Sequence, residues 1–462
     1  VVVAGVDGGA AADDDVVRLV LPIVWKLMLM LLLRMWMLLS SPSPLPALPS
    51  LMMLLCIELM KQMDLKEKLI SSFLAFENQV DVDVDSKVHD VRSKAFSNFE
   101  QQGFPTKRDE EWKYTNLSSL LKSNYNIFSK GEASLTYKDV KQYFINETDC
   151  YNLVFIDGKF NAFLSNTTHD GLDVCVMSAA LTKPKYEEAI NTYFNKLAKE
   201  NNSLSDLNTA FSAEGAYVNI PKNTVVPKPI QILNFSTGSE QEILIQPRNL
   251  VIVGENAHVQ IMERHQSLTG NNTLTNAVTE IFVNKRGIVD FYKMQNDVET
   301  ASLIDGTFVS QQKDSVASVH TFSFGGKLTR NNLEFYQNGE HCVSHMNGIS
   351  ILDGKQHVDN HTLVQHKAPN CESHEMYKGI YDEKSTGVFN GKVIVEQAAQ
   401  KINAYQQNNN IIVGDKASVN SKPQLEIFAD DVKCSHGCTI GQLDESALFY
   451  MQQRGIPKKE AK

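Results

Sequence analysis

The chain has 462 residues, of which 42% are hydrophobic, so it is long enough to build two or three domains around a sizeable core. Its formal net charge of −10 argues against a nucleic-acid-binding surface, because phosphate binding depends on clustered lysine and arginine. The seven cysteines are scattered and include no CxxC pair, which is typical of a reducing compartment, so we expect a cytoplasmic protein without a disulfide framework.

Residues 1–62 differ in composition from the rest of the chain. They are rich in Leu, Met, Val and Pro, whereas Asn, Lys, Asp and Ile become common after Met63. Their apolar run suggests a membrane span, but Arg18, Lys26 and Arg34 interrupt it, and a charge at mid-bilayer costs about 2.5–3.5 kcal/mol. We therefore expect residues 1–62 to be non-native or an upstream leader rather than an anchor, and we expect no membrane association.

Residues 63–215 are predicted to form a mostly helical N-terminal domain. Apolar residues at helical spacing predict a first amphipathic helix: Leu65, Leu69, Phe73 and Phe76. A second amphipathic pattern ends before Gly103 and Pro105. Further on, Asp157-Gly158 between two apolar runs predicts a hairpin turn.

Residues 216–444 change to short runs of alternating apolar and polar residues, which predict β-strands. A strand-turn-strand pattern at 253–259 is echoed at 413–419, and more loosely at 283–289 and 310–316. Copies spaced by one coil of 25–30 residues favour a parallel β-helix, but a β-sandwich with the same turns fits the periodicity equally well. Residues 445–462 return to a helical pattern and are predicted to begin a truncated C-terminal helical domain.

Catalytic motifs are missing from the sequence. It contains no GxSxG elbow, P-loop, HExxH or dinucleotide-binding glycine motif, so the sequence predicts a protein that is not an enzyme. A carbohydrate-active β-helix enzyme is one alternative, with Asp430 and Asp431 as its acid and base. Adjacent residues on a strand point to opposite faces, however, so these two carboxylates cannot flank one glycosidic bond.

A histidine-rich tract between residues 357 and 374 contains several potential zinc or iron ligands. They are His357, His361, His366, Cys371 and His374. Their spacing is irregular, and residues four apart on a strand are about 13 Å apart, too far to share one ion directly. We expect these side chains to fill turns and ladders between strands rather than to bind a metal.

The segment Cys434-Ser435-His436-Gly437-Cys438 is the second candidate site. On a strand, Cys434, His436 and Cys438 share one face, with neighbours about 6.6 Å apart. Cys434 and His436 can therefore reach one iron or one cluster edge together, but all three reach a single ion only if the strand bends at Gly437. Clusters normally have four ligands, so such a site needs ligands from elsewhere. Structural roles for these residues fit the sequence equally well.

Three segments resemble a known family. The sequence KPQLEIFADDVKCSHGCTIGQLDESALFYMQQRGI at 422–456 closely resembles a signature of the SufB/SufD family of iron–sulfur cluster assembly scaffolds, and residues 104–117 and 358–419 agree with it. The resemblance implies an α+β fold in which a right-handed parallel β-helix lies between helical domains. It thereby decides between the β-helix and the β-sandwich.

The resemblance also implies a function. It is that of a non-catalytic scaffold in the SufBCD complex, which pairs with SufB through the β-helix and with the ATPase SufC through the C-terminal helices. In such a complex His436 is a candidate iron ligand, with Cys434 beside it, in a cluster-assembly site shared with SufB. The iron–sulfur cluster is then a transient cofactor that is not held tightly by this chain alone. The missing C-terminal helices put SufC docking in doubt.

Within the family, the SufD branch fits better than SufB. The position that aligns with the sulfur-accepting cysteine of SufB is Ala417, which has no thiolate to receive sulfur. A SufB-like paralogue and a purely structural subunit remain the alternatives. Cys438 departs from the family pattern, in which a small residue is usual, and we expect it to lie outside the site.

Overall fold

The computed structural model describes residues 64–80, 86–128, 135–145, 147–166, 172–198, 202–238 and 242–461. The predictions for residues 1–62 lie outside these ranges. Among the helices of the described ranges, none is long and apolar enough to cross a membrane.

The helices lie before and after a long series of strands. Six precede most of the strands: α1 Leu65–Val80, α2 Ser86–Gln102, α3 Tyr137–Val140, α4 Met177–Thr182, α5 Glu187–Tyr193 and α6 Ser203–Ala210. Two follow them: α7 Glu445–Gln453 and α8 Lys458–Ala461. Single 3-10 turns form at Glu110–Trp112, Lys141–Tyr143 and Pro184–Tyr186. The predicted apolar stripe of α1 is confirmed, because its four residues are each at most 6% exposed and pack in one cluster.

Twenty strands are present in the described residues. The first ten are β1 Tyr151–Ile156, β2 Lys159–Phe160, β3 Asp173–Val176, β4 Ala216–Ile220, β5 Ile230–Ser236, β6 Glu242–Ile245, β7 Arg248–Val253, β8 His258–Ser267, β9 Asn272–Val283 and β10 Ile288–Gln295. The last ten are β11 Ala301–Gln311, β12 Val316–Ser323, β13 Leu328–Gln337, β14 Val343–Leu352, β15 His357–His366, β16 Glu372–Tyr381, β17 Thr386–Val395, β18 Ile402–Ile412, β19 Ser418–Ile427 and β20 Val432–Gln442.

These strands alternate between two sheets, and the prediction of a parallel β-helix core flanked by helices is confirmed. Sheet 1 has the order β2-β1-β5-β8-β10-β12-β14-β16-β18-β20, and sheet 2 has the order β19-β17-β15-β13-β11-β9-β7-β4-β3. From β5 to β20 every pairing is parallel and joins residues one coil apart. The coil length varies from 27 residues between Val316 and Val343 to 32 residues between Thr386 and Ser418.

One corner of each coil repeats the same backbone conformation. Where the chain passes from sheet 2 to sheet 1, a non-glycine residue with φ near +55° recurs: Asn256, Arg286, Asp314, His341, Asn370 and Lys401. The echoes at 253–259, 283–289 and 310–316 belong to this corner, whereas 413–419 turns from β18 into β19 at the opposite corner. The similarity between 253–259 and 413–419 therefore reflects shared turn chemistry rather than equivalent positions in the coil.

Alternate side chains of both sheets point into the β-helix and form its main core. The segment before β4 covers the beginning and one outer face of this core. Strand β1 pairs with β5 and extends sheet 1, and the hairpin from β1 to β2 turns at Asp157-Gly158 as predicted. The Trp112 ring lies 4.2 Å from the Arg330 guanidinium on sheet 2. The domain boundaries at residues 215 and 444 stay predictions.

Candidate functional site

Strand β20 carries Cys434, His436 and Cys438. It pairs with β18, and the register sets these residues beside Ala404, Gln406 and Asn408. Those three partners are 1–3% exposed and point into the β-helix.

Register partners in a parallel sheet share a face. The structure therefore brings Cys434, His436 and Cys438 to the inward face of the last coil, on one strand, as the sequence predicted. With its inward face in this orientation, β20 presents a thiol, an imidazole and a second thiol in a row.

The last coil is an open end of the β-helix. Strands β19 and β20 are the terminal strands of their sheets, so each is paired along one edge in the part of the chain that the structure describes. Nine of the eleven residues of β20 are exposed, whereas five inward residues of β18 are buried. The inward face that is core in every earlier coil is thus accessible at β19 and β20, which together we name the open end.

Cys434 lies nearest to the hydrophobic core. It is partly buried, and it packs against the core beside Leu425 and Val432. Burial raises the pKa of the Cys434 thiol above its ordinary value, because the thiolate loses hydration. In the isolated chain this thiol is therefore protonated at neutral pH, and metal binding has to displace the proton.

His436 continues a polar row that runs inward from the open end. One coil earlier lies Gln406, and one coil before that lies Glu375. Gln406 Nε2 donates to Glu375 Oε2 at 2.7 Å, and the Thr362 hydroxyl donates to the other carboxylate oxygen. No local pattern marks Glu375 or Gln406, since they are 31 residues apart in sequence and only the strand register brings them together.

Cys438 has a different environment from Cys434. Its thiol is exposed, and its neighbour Asn408 is already engaged, because Asn408 Oδ1 accepts hydrogen bonds from Asn410 at 2.7 Å and from Ser421 at 2.9 Å. Ser421 belongs to β19, so this contact joins the two sheets at the open end. The register separates Cys438 from Cys434 by four residues along β20, a distance of about 13 Å.

The sequence was compared with known families and curated proteins. Residues 63–232 match the SufBD protein N-terminal region, and residues 235–462 match the SufBD core domain of the SUF system for iron–sulfur cluster assembly. An iron–sulfur cluster assembly SufBD family protein of Synechocystis sp. is 35% identical over 366 residues, which cover 78% of this chain and 80% of the relative. The chain belongs to the SufBD family.

Members of both branches are among the relatives of this SufBD protein. The iron–sulfur cluster assembly protein SufD of Escherichia coli is 29% identical over 78% of this chain and 82% of the relative. The iron–sulfur cluster assembly protein SufB of Bacillus subtilis is 27% identical over 56% of each chain. SufBD proteins are scaffold subunits of cluster assembly. The two identities are too close to assign the branch.

Two histidines of the 357–374 tract lie on the outer face of sheet 2, beneath the N-terminal segment. His357 Nε2 is 2.8 Å from Thr115 Oγ1. His361 lies between two carboxylates, with Nδ1 3.0 Å from Glu111 Oε2 and Nε2 3.0 Å from Asp359 Oδ1. Each imidazole therefore has partners from the chain itself.

The other members of the tract are separated by the β-helix wall. His366 points inward, 3.0 Å from the Ser373 hydroxyl, and burial lowers the pKa of His366 to about 3, so the ring is neutral. The Cys371 thiol is buried and donates to a backbone carbonyl 3.3 Å away. His374 lies on the outer face of sheet 1, stacked 5.7 Å from Tyr405. Across the described ranges these residues form no three-ligand cluster, which agrees with the structural interpretation.

A buried cluster that the sequence did not reveal lies inside the β-helix. One ligand atom each from Glu263, His265 and Asp305 lies within 4.8 Å of the others. Lys293 Nζ is 2.5 Å from Asp305, and Asn249 donates to Glu263 at 2.8 Å. Burial disfavours the His265 imidazolium, but the adjacent Glu263 carboxylate outweighs burial and raises the pKa of His265. Two cations thus balance two carboxylates, and the cluster is neutral without a metal ion.

A cleft of about 720 Å³ lies between the Glu110–Trp112 turn and the outer face of sheet 2. Its charged lining residues are paired within the chain. Lys392 forms an ion pair with Glu426 at 2.7 Å, and Glu334 accepts a hydrogen bond from Tyr336 at 2.5 Å. Burial raises the pKa of Glu334, which fits a carboxyl that is shielded from solvent. These contacts favour a structural role for the cleft lining over a ligand site.

Proposed function

We propose that this chain is the SufD-type subunit of a SufBCD complex. In this role it is a non-catalytic scaffold, and ATP hydrolysis takes place in the partner SufC. The observation that carries the proposal is the open end, where an unpaired edge strand presents Cys434 and His436 in one row.

The open end fits a second β-helix as its partner. An exposed edge strand offers unpaired backbone N–H and C=O groups, which another strand can satisfy by pairing with it. Apolar side chains are also exposed here, since Ile427 is 41%, Phe428 62% and Ile440 47% accessible. A SufB chain has the same family core, so its own terminal coil has the geometry needed to complete this one. We therefore place the SufB interface at the open end.

Cys434 and His436 form half of an assembly site in this proposal. A thiolate and an imidazole are both ligands of iron in clusters, and two ligands leave two positions to be filled from SufB. The cluster is the cargo of the complex, held transiently between the two chains. Cys438 stays outside the site, because it lies too far along β20 to share an iron with Cys434.

Ala417 supports the SufD branch over SufB. It lies in the turn between β18 and β19 and packs beside Leu352 and Val358 as a small apolar side chain. A SufB-like role requires a thiolate at this position to receive sulfur. The SufB-like alternative therefore fails on the chemistry of a methyl group.

SufC docking is proposed for the helices that follow β20. Asp444 caps α7 by accepting from two backbone N–H groups, and Phe449 and Tyr450 on that helix are 62% and 60% accessible. Apolar side chains exposed on a capped helix offer a surface for a partner protein. The cytoplasm stays the proposed compartment, and fractionation of cells that express the native gene tests it.

The experiment is reconstitution with SufB and SufC after the substitution His436→Ala. We expect a several-fold loss of cluster formation, followed by visible absorbance under anaerobic conditions, while the three proteins still elute together. Ser435→Ala is the matched control, because the neighbouring side chain on β20 points to the outer face. An unchanged cluster yield in the His436 variant would remove His436 from the mechanism.

A further inference from the structure

Gln406 has one polar atom without a partner, directly beneath His436. Its side chain is 1% exposed, and its Nε2 donates to Glu375, but its Oε1 is buried without a hydrogen bond. A buried acceptor that is left unsatisfied costs about 1–3 kcal/mol, so such groups are rare and call for a donor.

The orientation of the Gln406 amide follows from Glu375. An ionised carboxylate can only accept hydrogen bonds, and both of its oxygens are used, one by Gln406 Nε2 and one by the Thr362 hydroxyl. The amide nitrogen must therefore face Glu375. The amide oxygen is turned away from Glu375 as a consequence.

The space for this amide is supplied by Gly391 on the facing sheet. A Cβ atom at position 391 would lie 2.4 Å from Gln406 Nε2 and 2.7 Å from the Phe389 ring, closer than van der Waals contact allows. Only glycine at position 391 leaves the Gln406 side chain in place. The amide is thus held from two sides, by a hydrogen bond and by packing.

The next coil offers one donor to Gln406 Oε1. The position after Gly391 on sheet 2 is Pro423, which has no N–H, and the position after Gln406 on sheet 1 is His436. Adjacent strands lie about 4.8 Å apart, so an imidazole at position 436 can reach the amide oxygen by choice of rotamer. The side-chain nitrogen of Asn408 is already used, since it donates to the Tyr377 carbonyl.

We propose that Gln406 is a positioning residue for His436: its amide oxygen accepts the N–H of one imidazole nitrogen and leaves the other nitrogen free at the open end. Histidine ligands commonly donate their second N–H to an oxygen acceptor, which fixes the tautomer and the ring orientation. The hydrogen bond follows from the chain itself, and its use in iron binding rests on the function proposed above.

The test uses the chain labelled with ¹⁵N-histidine, and His436→Gln identifies the resonances of His436. At pH 8.5 we expect one neutral tautomer of His436 to be favoured by about fivefold or more, the ratio that one hydrogen bond supports. The substitution Gln406→Met should return the tautomer ratio to that of a free imidazole. Gln407→Met is the matched control, because Gln407 is the exposed neighbour on β18 that points outward.

An unchanged tautomer ratio in Gln406→Met would refute the proposal. If that variant does not fold, Gln406→Asn keeps an amide whose oxygen is too short to reach His436, and it should give the same loss of bias. Reconstitution with SufB and SufC separates the two proposals, since loss of an outer hydrogen bond to a ligand lowers metal affinity by about 10–100-fold. If the tautomer bias is lost and cluster yield is unchanged, positioning by Gln406 stands and the iron role of His436 fails.

Discussion

Replacing Glu375 by glutamine should stabilise the fold above neutral pH and change it little in mild acid. The Glu375 carboxyl is 4% exposed, and burial raises its pKa from 4.5 to about 7. Between these values the folded chain binds more protons than the unfolded chain, so the free energy of unfolding falls as pH rises through this window. At about 1.4 kcal/mol per pKa unit, the loss is about 3 kcal/mol once the pH exceeds 7.

Glutamine has no charge to bury and can keep both hydrogen bonds of Glu375. Its carbonyl accepts from Gln406 Nε2, and its amide nitrogen donates to the Thr362 hydroxyl oxygen, which can turn to accept. Urea unfolding followed by circular dichroism at pH 5 and pH 8.5 measures the effect. We expect the variant to be more stable than the native chain by about 3 kcal/mol at pH 8.5 and by less than about 1 kcal/mol at pH 5.

The exposed Glu299 provides the control, because Glu299→Gln removes a carboxylate that is already in solvent. Its effect should be small and equal at both pH values. If Glu375→Gln destabilises the fold at pH 8.5, or has the same effect at both pH values, the argument from burial is wrong.

Three further predictions concern packing and the open end. Arg330→Met should lower the free energy of unfolding by about 3–5 kcal/mol, because it leaves the buried Asp359 carboxylate without its 2.6 Å ion pair; urea titration measures this. Gly391→Ala should cost about 1–3 kcal/mol through overpacking, whereas a Cβ at Gly437 meets no atom within 4 Å, so Gly437→Ala should be neutral in the same assay. Ile440→Asp, at an exposed position of the open end, should leave the melting temperature unchanged yet abolish co-purification with SufB; retained binding would move the interface elsewhere.

Much of the fold can be predicted from the sequence, because it depends on local periodicity. The stripe at Leu65 and Leu69 predicted α1, and alternation predicted the strands, including the one that carries Cys434. The choice between a β-helix and a β-sandwich could not be made from periodicity, since both bury alternate residues of short strands. The resemblance of residues 422–456 to a known family made that choice.

The contacts inside the β-helix could not be predicted in the same way. Glu375 and Gln406 meet because the coils between them total 31 residues, and coil length here varies from 27 to 32 residues. A register that drifts by several residues leaves no fixed period in the sequence to detect. For the same reason the ion pairs of Asp305 with Lys293 and of Glu263 with His265 were not foreseen.

The same stacking explains why a ligand pair on the last coil is both well supported and incomplete. Each coil adds one residue to every inward row, so His436 lies on Gln406 and Glu375, and Cys434 lies on the hydrophobic core. The support comes from the coils before, and the coil that would follow is where further ligands must come from. A scaffold that ends on an uncovered row of a thiol and an imidazole thus has a built inner half and needs a second chain for the outer half.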